Sequence, residues 1–162
     1  MDMISILNFS AWLTSLFFTL YFFYYAYYAF FSIKRVRKGP SYPPSTRFAV
    51  VIAARNEEQV IGQLVESLRE QDYPRELYEI IVVPNNCTDD TRGAACRAGA
   101  RIFDCHLPVH SKGDALTQVF DLLMQQEDYD AVCVFDADNI VDENFLAEMN
   151  NALCAGVRAA QG

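Results

Sequence analysis

Asp136-Ala137-Asp138 follows directly on the apolar run Ala131-Val132-Cys133-Val134-Phe135. A β-branched apolar run of that length predicts a buried strand. Two carboxylates one residue apart at its C-terminal end suit a hard divalent cation that takes phosphate oxygens as further ligands. A solvated acidic turn would carry the same residues. The elements around the pair decide between the two.

In open α/β sheets the ligand crevice lies beyond the C-terminal ends of the strands. Four polar segments would meet there: Ala53-Ala54-Arg55-Asn56-Glu57, Pro84-Asn85-Asn86-Cys87-Thr88-Asp89, residues 104–113, and Asp136-Ala137-Asp138-Asn139. The first, second and fourth lead into helix starts, whose free N–H groups attract anions. Small Ala53 and Ala54 let a flat base or sugar approach the first strand, although close packing explains them equally. Asn85 and Asn86 carry amide donors and acceptors that can read a nucleobase edge. A turn before a capped helix uses the same residues. Lys112 is a candidate for diphosphate charge, its alternative being a solvated surface lysine. Neither G-x-G-x-x-G nor G-K-[ST] occurs in the first loop, which argues against an NAD enzyme or a P-loop ATPase.

The elements needed to position these loops are legible as alternating patterns. Residues 48–53 predict a first strand. Asn56 is expected to cap a helix beginning at Glu57 and Glu58, acids that suit the positive end of the helix dipole. Val60, Ile61, Leu64, Val65 and Leu68 then recur at helical spacing until Asp72-Tyr73-Pro74 stops the helix. Residues 79–83 predict a second strand. Thr88, Asp89 and Asp90 open a helix ending near Gly99, and residues 101–103 form a short third strand. A loop at 105–111 leads to a helix over 111–126 with Leu116, Val119, Phe120 and Leu123 inward. The strand before the acidic pair is followed by a helix from Asp142 or Glu143, and a fifth strand should begin at Gln161-Gly162. The β-α alternation predicts an α/β fold, a mostly parallel sheet with helices on both faces.

The N-terminal segment is of another kind. No charged residue occurs between Met3 and Ile33, and about 20 apolar residues suffice to cross the hydrocarbon core. Tyr21, Tyr24, Tyr25, Tyr27 and Tyr28 crowd its second half, where amphipathic rings suit the headgroup level. Lys34, Arg35, Arg37 and Lys38 follow, which predicts a cytoplasmic location for everything beyond them. A cleaved signal peptide fits less well, because the basic cluster follows the apolar run. The expected organisation is a membrane anchor over 1–38, a proline-rich extended linker over 39–46, and an α/β domain over 47–162.

Residues 39–162 hold 9 of the 13 basic and 20 of the 21 acidic residues, a formal charge of −11. Such a domain has no general field for nucleic acid. An anionic ligand would need a local cation. The five cysteines show no C-x-x-C spacing, so zinc is not expected and free, mostly packed thiols are. His106 and His110 are read as exposed loop residues.

At this point the pieces align with a known family. The chain resembles the family 2 glycosyltransferases, an inverting group with the GT-A fold that includes membrane-anchored cellulose-synthase-like and N-acetylglucosaminyl-transfer enzymes. The resemblance rests on residues 50–58, Gln71-Asp72-Tyr73-Pro74, Ile80-Ile81-Val82-Val83, residues 86–91, Lys112-Gly113-Asp114-Ala115-Leu116, Asp136-Ala137-Asp138-Asn139, Phe145-Leu146 and Gln161-Gly162. It implies a UDP-sugar donor, a glycan or lipid-linked acceptor, and Mg2+ or Mn2+ as cofactor. By the same resemblance Ala53, Ala54, Arg55 and Glu57 would hold the uridine, with Lys112 and Gly113 near the nucleotide. Asp136 would approach ribose or metal, and Asp138 would bind the metal. Asn85 stands where the family commonly has an aspartate that pairs with the uracil edge. The family's catalytic base and its Q-x-x-R-W motif lie beyond the fifth strand and are not among these 162 residues. The chain is therefore expected to be a donor-binding half with weak or absent transfer of its own. Three rivals are weighed. A haloacid-dehalogenase phosphatase should carry its D-x-D after the first strand. A nucleotidyltransferase should show a glycine-rich, basic first loop. A non-catalytic nucleotide-sugar binder or scaffold would show the same residues.

Overall fold

The computed structural model describes residues 2–32, 39–126 and 128–161. The chain divides into two compact units, 1–38 and 39–162.

The first unit is one helix, α1 (Met3–Ser32), and none of its residues is buried. It is the one described helix long and apolar enough to cross a membrane by length and composition. Three of its hydroxyl side chains bond to its own backbone. Ser10 donates to the Leu7 carbonyl at 2.9 Å, Thr14 to Ser10 at 2.7 Å and Thr19 to Ser15 at 2.8 Å. Bonds of this kind satisfy hydroxyls without water, as a hydrocarbon environment requires. The basic cluster at 34–38 lies outside the described residues.

The second unit is built on four parallel strands, β1 (Phe48–Ala54), β2 (Tyr78–Pro84), β3 (Arg101–Ile102) and β4 (Ala131–Phe135), in the order β3-β2-β1-β4. Between them run α2 (Ile61–Arg69), α3 (Thr91–Ala98), α4 (Lys112–Gln126) and α5 (Phe145–Cys154), with a single 3-10 turn at Arg75–Leu77. β1 is central and buried along all seven residues, which is why its sequence is continuously apolar. One face of the sheet packs Phe48, Val50 and Ile52 against Leu64 and Leu68 of α2, Ala95 of α3 and Leu146 of α5. The other packs Ala49, Val51, Ile81 and Val83 against Ala115, Val119 and Leu123 of α4. Leu116 and Phe120 pack against that second cluster while only partly buried.

Five expectations change. The run before Asp136 is not a buried strand: β4 is the edge of the described sheet, and Val132 and Val134 are 42% and 45% exposed. They share a face with Ala49 and Val51, yet neither is among the buried residues of the α4 cluster. An apolar run signals a surface to be covered, and the covering element is not encoded in the run itself.

Asn56 does not cap a helix. It sits in left-handed backbone (φ 58°), a region asparagine tolerates, and α2 starts five residues later at Ile61. Its Oδ1 instead accepts the Thr88 N–H at 2.8 Å.

The proline-rich segment is not a free spacer throughout. Asn151 Oδ1 accepts the Tyr42 N–H at 2.7 Å, and Asn150 Oδ1 accepts the N–H groups of Ser45 and Thr46. Residues 42–46 are thus strapped to α5. No strand forms over 157–161, and Gly162 lies outside the described residues.

All five cysteines are free, but Cys96 and Cys154 are exposed where packed thiols were expected. Cys133 fits the packed description, and burial pushes its thiol up to about 11.

Candidate functional site

Parallel strands deliver their following loops to a single edge of the sheet. β1 and β2 run in register from Phe48 with Tyr78 to Ala54 with Pro84, so their loops leave side by side. Both turn through a left-handed asparagine, Asn56 (φ 58°) and Asn86 (φ 47°). Glu57 N–H donates to Thr91 Oγ1 at 2.8 Å, Glu58 N–H to Asp89 Oδ2 at 3.1 Å, and Asp90 N–H returns a bond to Glu58 Oε2 at 3.1 Å. The Thr91 hydroxyl and neighbouring backbone N–H groups hold the Asp89 carboxyl below its usual range. The start of α3 is fixed by Asp90, which accepts from Gly93 N–H. A β-carbon at Gly93 would lie 2.3 Å from that carboxylate, so any larger residue there has to push the Asp90 cap aside.

The opposite wall begins at α4. Asp114 Oδ2 accepts the N–H groups of His110 and Ser111, both at 2.9 Å, and Ser111 Oγ accepts the Asp114 N–H at 3.1 Å. This reciprocal cap fixes the first turn. The His110 N–H, followed by that of Ser111, holds the Asp114 carboxyl below the usual carboxylate range. Farther back, Gln118 Oε1 accepts from His106 and Leu107 N–H, and Asn86 Nδ2 donates to the Val109 carbonyl at 2.7 Å. The 104–111 loop is therefore held from both sides.

Between these walls lies a cavity of about 350 Å³, within the range of small-ligand sites. β1 and its loop contribute Ala53, Arg55 and Glu57, and the loop after β2 contributes Asn85. His110, Ser111 and Lys112 come from the start of α4, and Asp136, Ala137 and Asp138 from the turn after β4. Seven of the nine residues expected from sequence thus meet in one wall. Ala54 and Gly113 do not line it. Ala54 packs into the α2–α3 side of the core and receives two bonds from Asn85, one from its backbone N–H at 2.9 Å and one from Nδ2 at 3.1 Å. Gly113 is in the first turn of α4, where its carbonyl accepts from the Thr117 hydroxyl.

Sequence reading missed His110 and Ser111 as wall residues. The signal was available in Ser111-x-x-Asp114, a capping-box spacing that places the preceding residues at a helix mouth.

Electrostatically the cavity is mixed. Lys112 Nζ is ion-paired with Asp136 Oδ1, and their side chains are 44% and 67% exposed. Among the described residues Asp138 has no ion-pair partner. Asp136, Asp138 and Glu57 bring to the cavity the hard carboxylate oxygens a divalent cation takes, and the first two stand one residue apart with the Lys112 ammonium already drawn to Asp136. Among the described residues no group of three or more His, Cys, Asp or Glu forms a full metal shell, so further ligands would come from a substrate or water.

The fold and cavity can be set beside known proteins. The family model described as "Glycosyl transferase family 2" matches residues 49–162. The chain is 31% identical over 121 residues to the β-monoglucosyldiacylglycerol synthase of Synechocystis sp., a match covering 64% of this chain and 22% of that protein. The chain thus spans about a fifth of the length of the curated relatives it matches. Among solved structures, the mannosyltransferase PcManGT from Pyrobaculum calidifontis, in complex with GDP-Man and Mn2+, superposes with a TM-score of 0.63 at 24% identity. That match covers 87% of this chain and 42% of the other. S. aureus TarS 1-349 in complex with UDP-GlcNAc gives 0.55 at 20% identity, covering 67% and 31%. Both likenesses establish the fold, a parallel sheet with flanking helices of the GT-A kind. With a family match over more than two thirds of its residues, the chain belongs to glycosyl transferase family 2.

Proposed function

We propose that residues 39–162 bind the nucleotide-sugar donor of a family 2 glycosyl transfer, a UDP-sugar, and that α1 anchors them at the cytoplasmic side of a membrane. The acceptor in this reading is a glycan or a lipid-linked sugar. The observation that carries it is a cavity lined by both carboxylates of Asp136-Ala137-Asp138 together with Asn85 and Lys112.

Each residue has a role its chemistry fits. Ala53 leaves a flat wall for the base. Asn85 spends Nδ2 on Ala54, which orients Oδ1 to accept from the imide N–H of uracil. Arg55 and Lys112 supply cationic charge toward the diphosphate, helped by the positive end of α4, while Glu57 and the ribose hydroxyls can exchange hydrogen bonds. Asp136 and Asp138 would hold Mg2+ or Mn2+, which when bound neutralises charge on the departing diphosphate as a Lewis acid. Two relatives in fold, bound to GDP-Man with Mn2+ and to UDP-GlcNAc, support a sugar-nucleotide ligand of this type. No residue here is assigned the role of base toward the acceptor hydroxyl. The reading covers donor binding and not turnover by these 162 residues alone.

Calorimetry on the detergent-solubilised chain tests it. UDP should bind in the presence of MnCl2, more tightly than GDP, and Asp138→Ala should weaken that binding by at least about tenfold with an unchanged circular-dichroism spectrum. Absence of Mn2+-dependent binding of either nucleotide to the unmodified chain refutes the proposal. Tighter binding of GDP would reassign the base.

A further inference from the structure

Lys112 stands on a fixed stem. Its backbone is the first residue of α4, locked by the reciprocal cap between Ser111 and Asp114. Its tip is different: the side chain is 44% exposed and reaches across the cavity to Asp136 Oδ1. Asp136 is in turn one of three carboxylates lining the cavity, with Glu57 and Asp138, and the one among them that carries a protein cation. Asp138, two residues on, has no ion-pair partner among the described residues.

A carboxylate oxygen engaged by an ammonium has less to offer a second cation. Two positive charges at one oxygen also repel each other. We propose that Lys112 and a divalent cation compete for Asp136, and that Lys112, once displaced, delivers its ammonium to the pyrophosphate of the nucleotide. The inference rests on the donor-binding reading above and adds a coupling to it. Lys112 weakens the binding of metal alone and strengthens the binding of a diphosphate with metal. The cavity then discriminates against the free ion and in favour of the complete ion–nucleotide pair. Other charged groups in the wall do not fill this role. Arg55 makes no ion pair among the described residues, and Glu57 carries the opposite sign.

The pair is surface-exposed, so the competition is modest in size. Exposed ion pairs are weak and screened, which sets the expected gain in metal affinity at roughly two- to fivefold when the ammonium is removed. Lys112 lies outside the buried core, so substitution there leaves the packing intact.

The test uses the full chain in detergent, unmodified and as Lys112→Met, Lys112→Gln and Lys112→Arg. Mn2+ binding is followed by electron paramagnetic resonance without nucleotide, and UDP and UMP binding by calorimetry at saturating Mn2+. Methionine and glutamine variants should bind Mn2+ alone roughly two- to fivefold more tightly. The same variants should bind UDP about tenfold more weakly, with UMP much less affected, and Lys112→Arg should stay close to the unmodified chain. Unchanged or weaker Mn2+ binding in the Met and Gln variants overturns the competition. Equal losses for UDP and UMP overturn the delivery to pyrophosphate. An unmodified chain that binds no Mn2+ and UDP together sinks the donor-binding reading as well. Normal binding by that chain with no divergence among the variants sinks only the coupling.

Discussion

Asn85 serves the fold and the cavity with the two ends of one amide. It is 8% exposed, and Nδ2 donates to the Ala54 carbonyl while the side chain still reaches the cavity wall. An aspartate of the same shape cannot donate when ionised and would face that carbonyl with a charge. Asn85→Asp should therefore destabilise the domain by about 1–3 kcal/mol at neutral pH. Burial beside an acceptor raises the pKa of the introduced carboxyl, so its penalty is present above that pKa and fades as the acid protonates. Urea denaturation of variant and unmodified chain at pH 7 and pH 5 should show the gap narrowing at the lower pH. At this scale the sequence was informative about residue type and weak about direction. Asp136, Asp138 and Lys112 stood out by their charge at a strand end and a helix start, where a solvated turn or a surface lysine would carry the same residues. Which of Ala53 and Ala54 faces the cavity could not, since adjacent strand residues point to opposite faces and the phase depends on what covers each face.

Elements were legible where their own residues specify both faces. β1 throughout and β2 over residues 80–83 are apolar because helices cover them on both sides, and α3 announces itself through Asp90 at one end and left-handed Gly99 (φ 95°) at the other. β4 has the same composition and a different fate, because its covering partner is a matter of topology. The strap over α5 was hidden for a related reason. Prolines at 40, 43 and 44 signal extended chain but not what the chain lies on. Its key is Asn150, 1% exposed. Its Oδ1 accepts from Ser45 N–H, Thr46 N–H, the Thr46 hydroxyl at 2.9 Å and the Tyr73 hydroxyl at 3.2 Å, while Nδ2 donates to the Pro43 carbonyl at 3.2 Å. Asn150→Ala would strand several of these groups away from water. A loss on the order of 3 kcal/mol is expected in urea denaturation. Hydrogen exchange at the Ser45 and Thr46 amides should accelerate, with the cavity-wall amides unaffected.

At the scale of the whole molecule, the chain joins two kinds of solvent adaptation. α1 exposes Phe, Tyr, Leu and Ile and turns the hydroxyls of Ser10, Thr14 and Thr19 onto its own carbonyls. The 39–162 unit carries a formal charge of −11 and keeps its apolar residues mostly inside. A membrane reading of α1 predicts that the chain stays with the membrane pellet through alkaline carbonate extraction, and that deleting residues 2–32 moves it to the supernatant. Retention of the deleted chain in the pellet would place the membrane contact on the α/β unit instead. Legibility here followed length: a helix of 30 residues with no charged one shows itself in the sequence, whereas five-residue strands admit several interpretations.

The hydrogen bonds lacing the loop after β1 to the loop after β2 have one more effect. Asn56, Glu57 and Glu58 on one loop and Thr88, Asp89, Asp90 and Thr91 on the other already hold one another before anything enters the cavity. A guest meeting that side finds a rigid jaw and gives up little conformational entropy in ordering it. The opposite jaw carries the exposed pair of Lys112 and Asp136, a weak contact whose partners a charged guest can exchange.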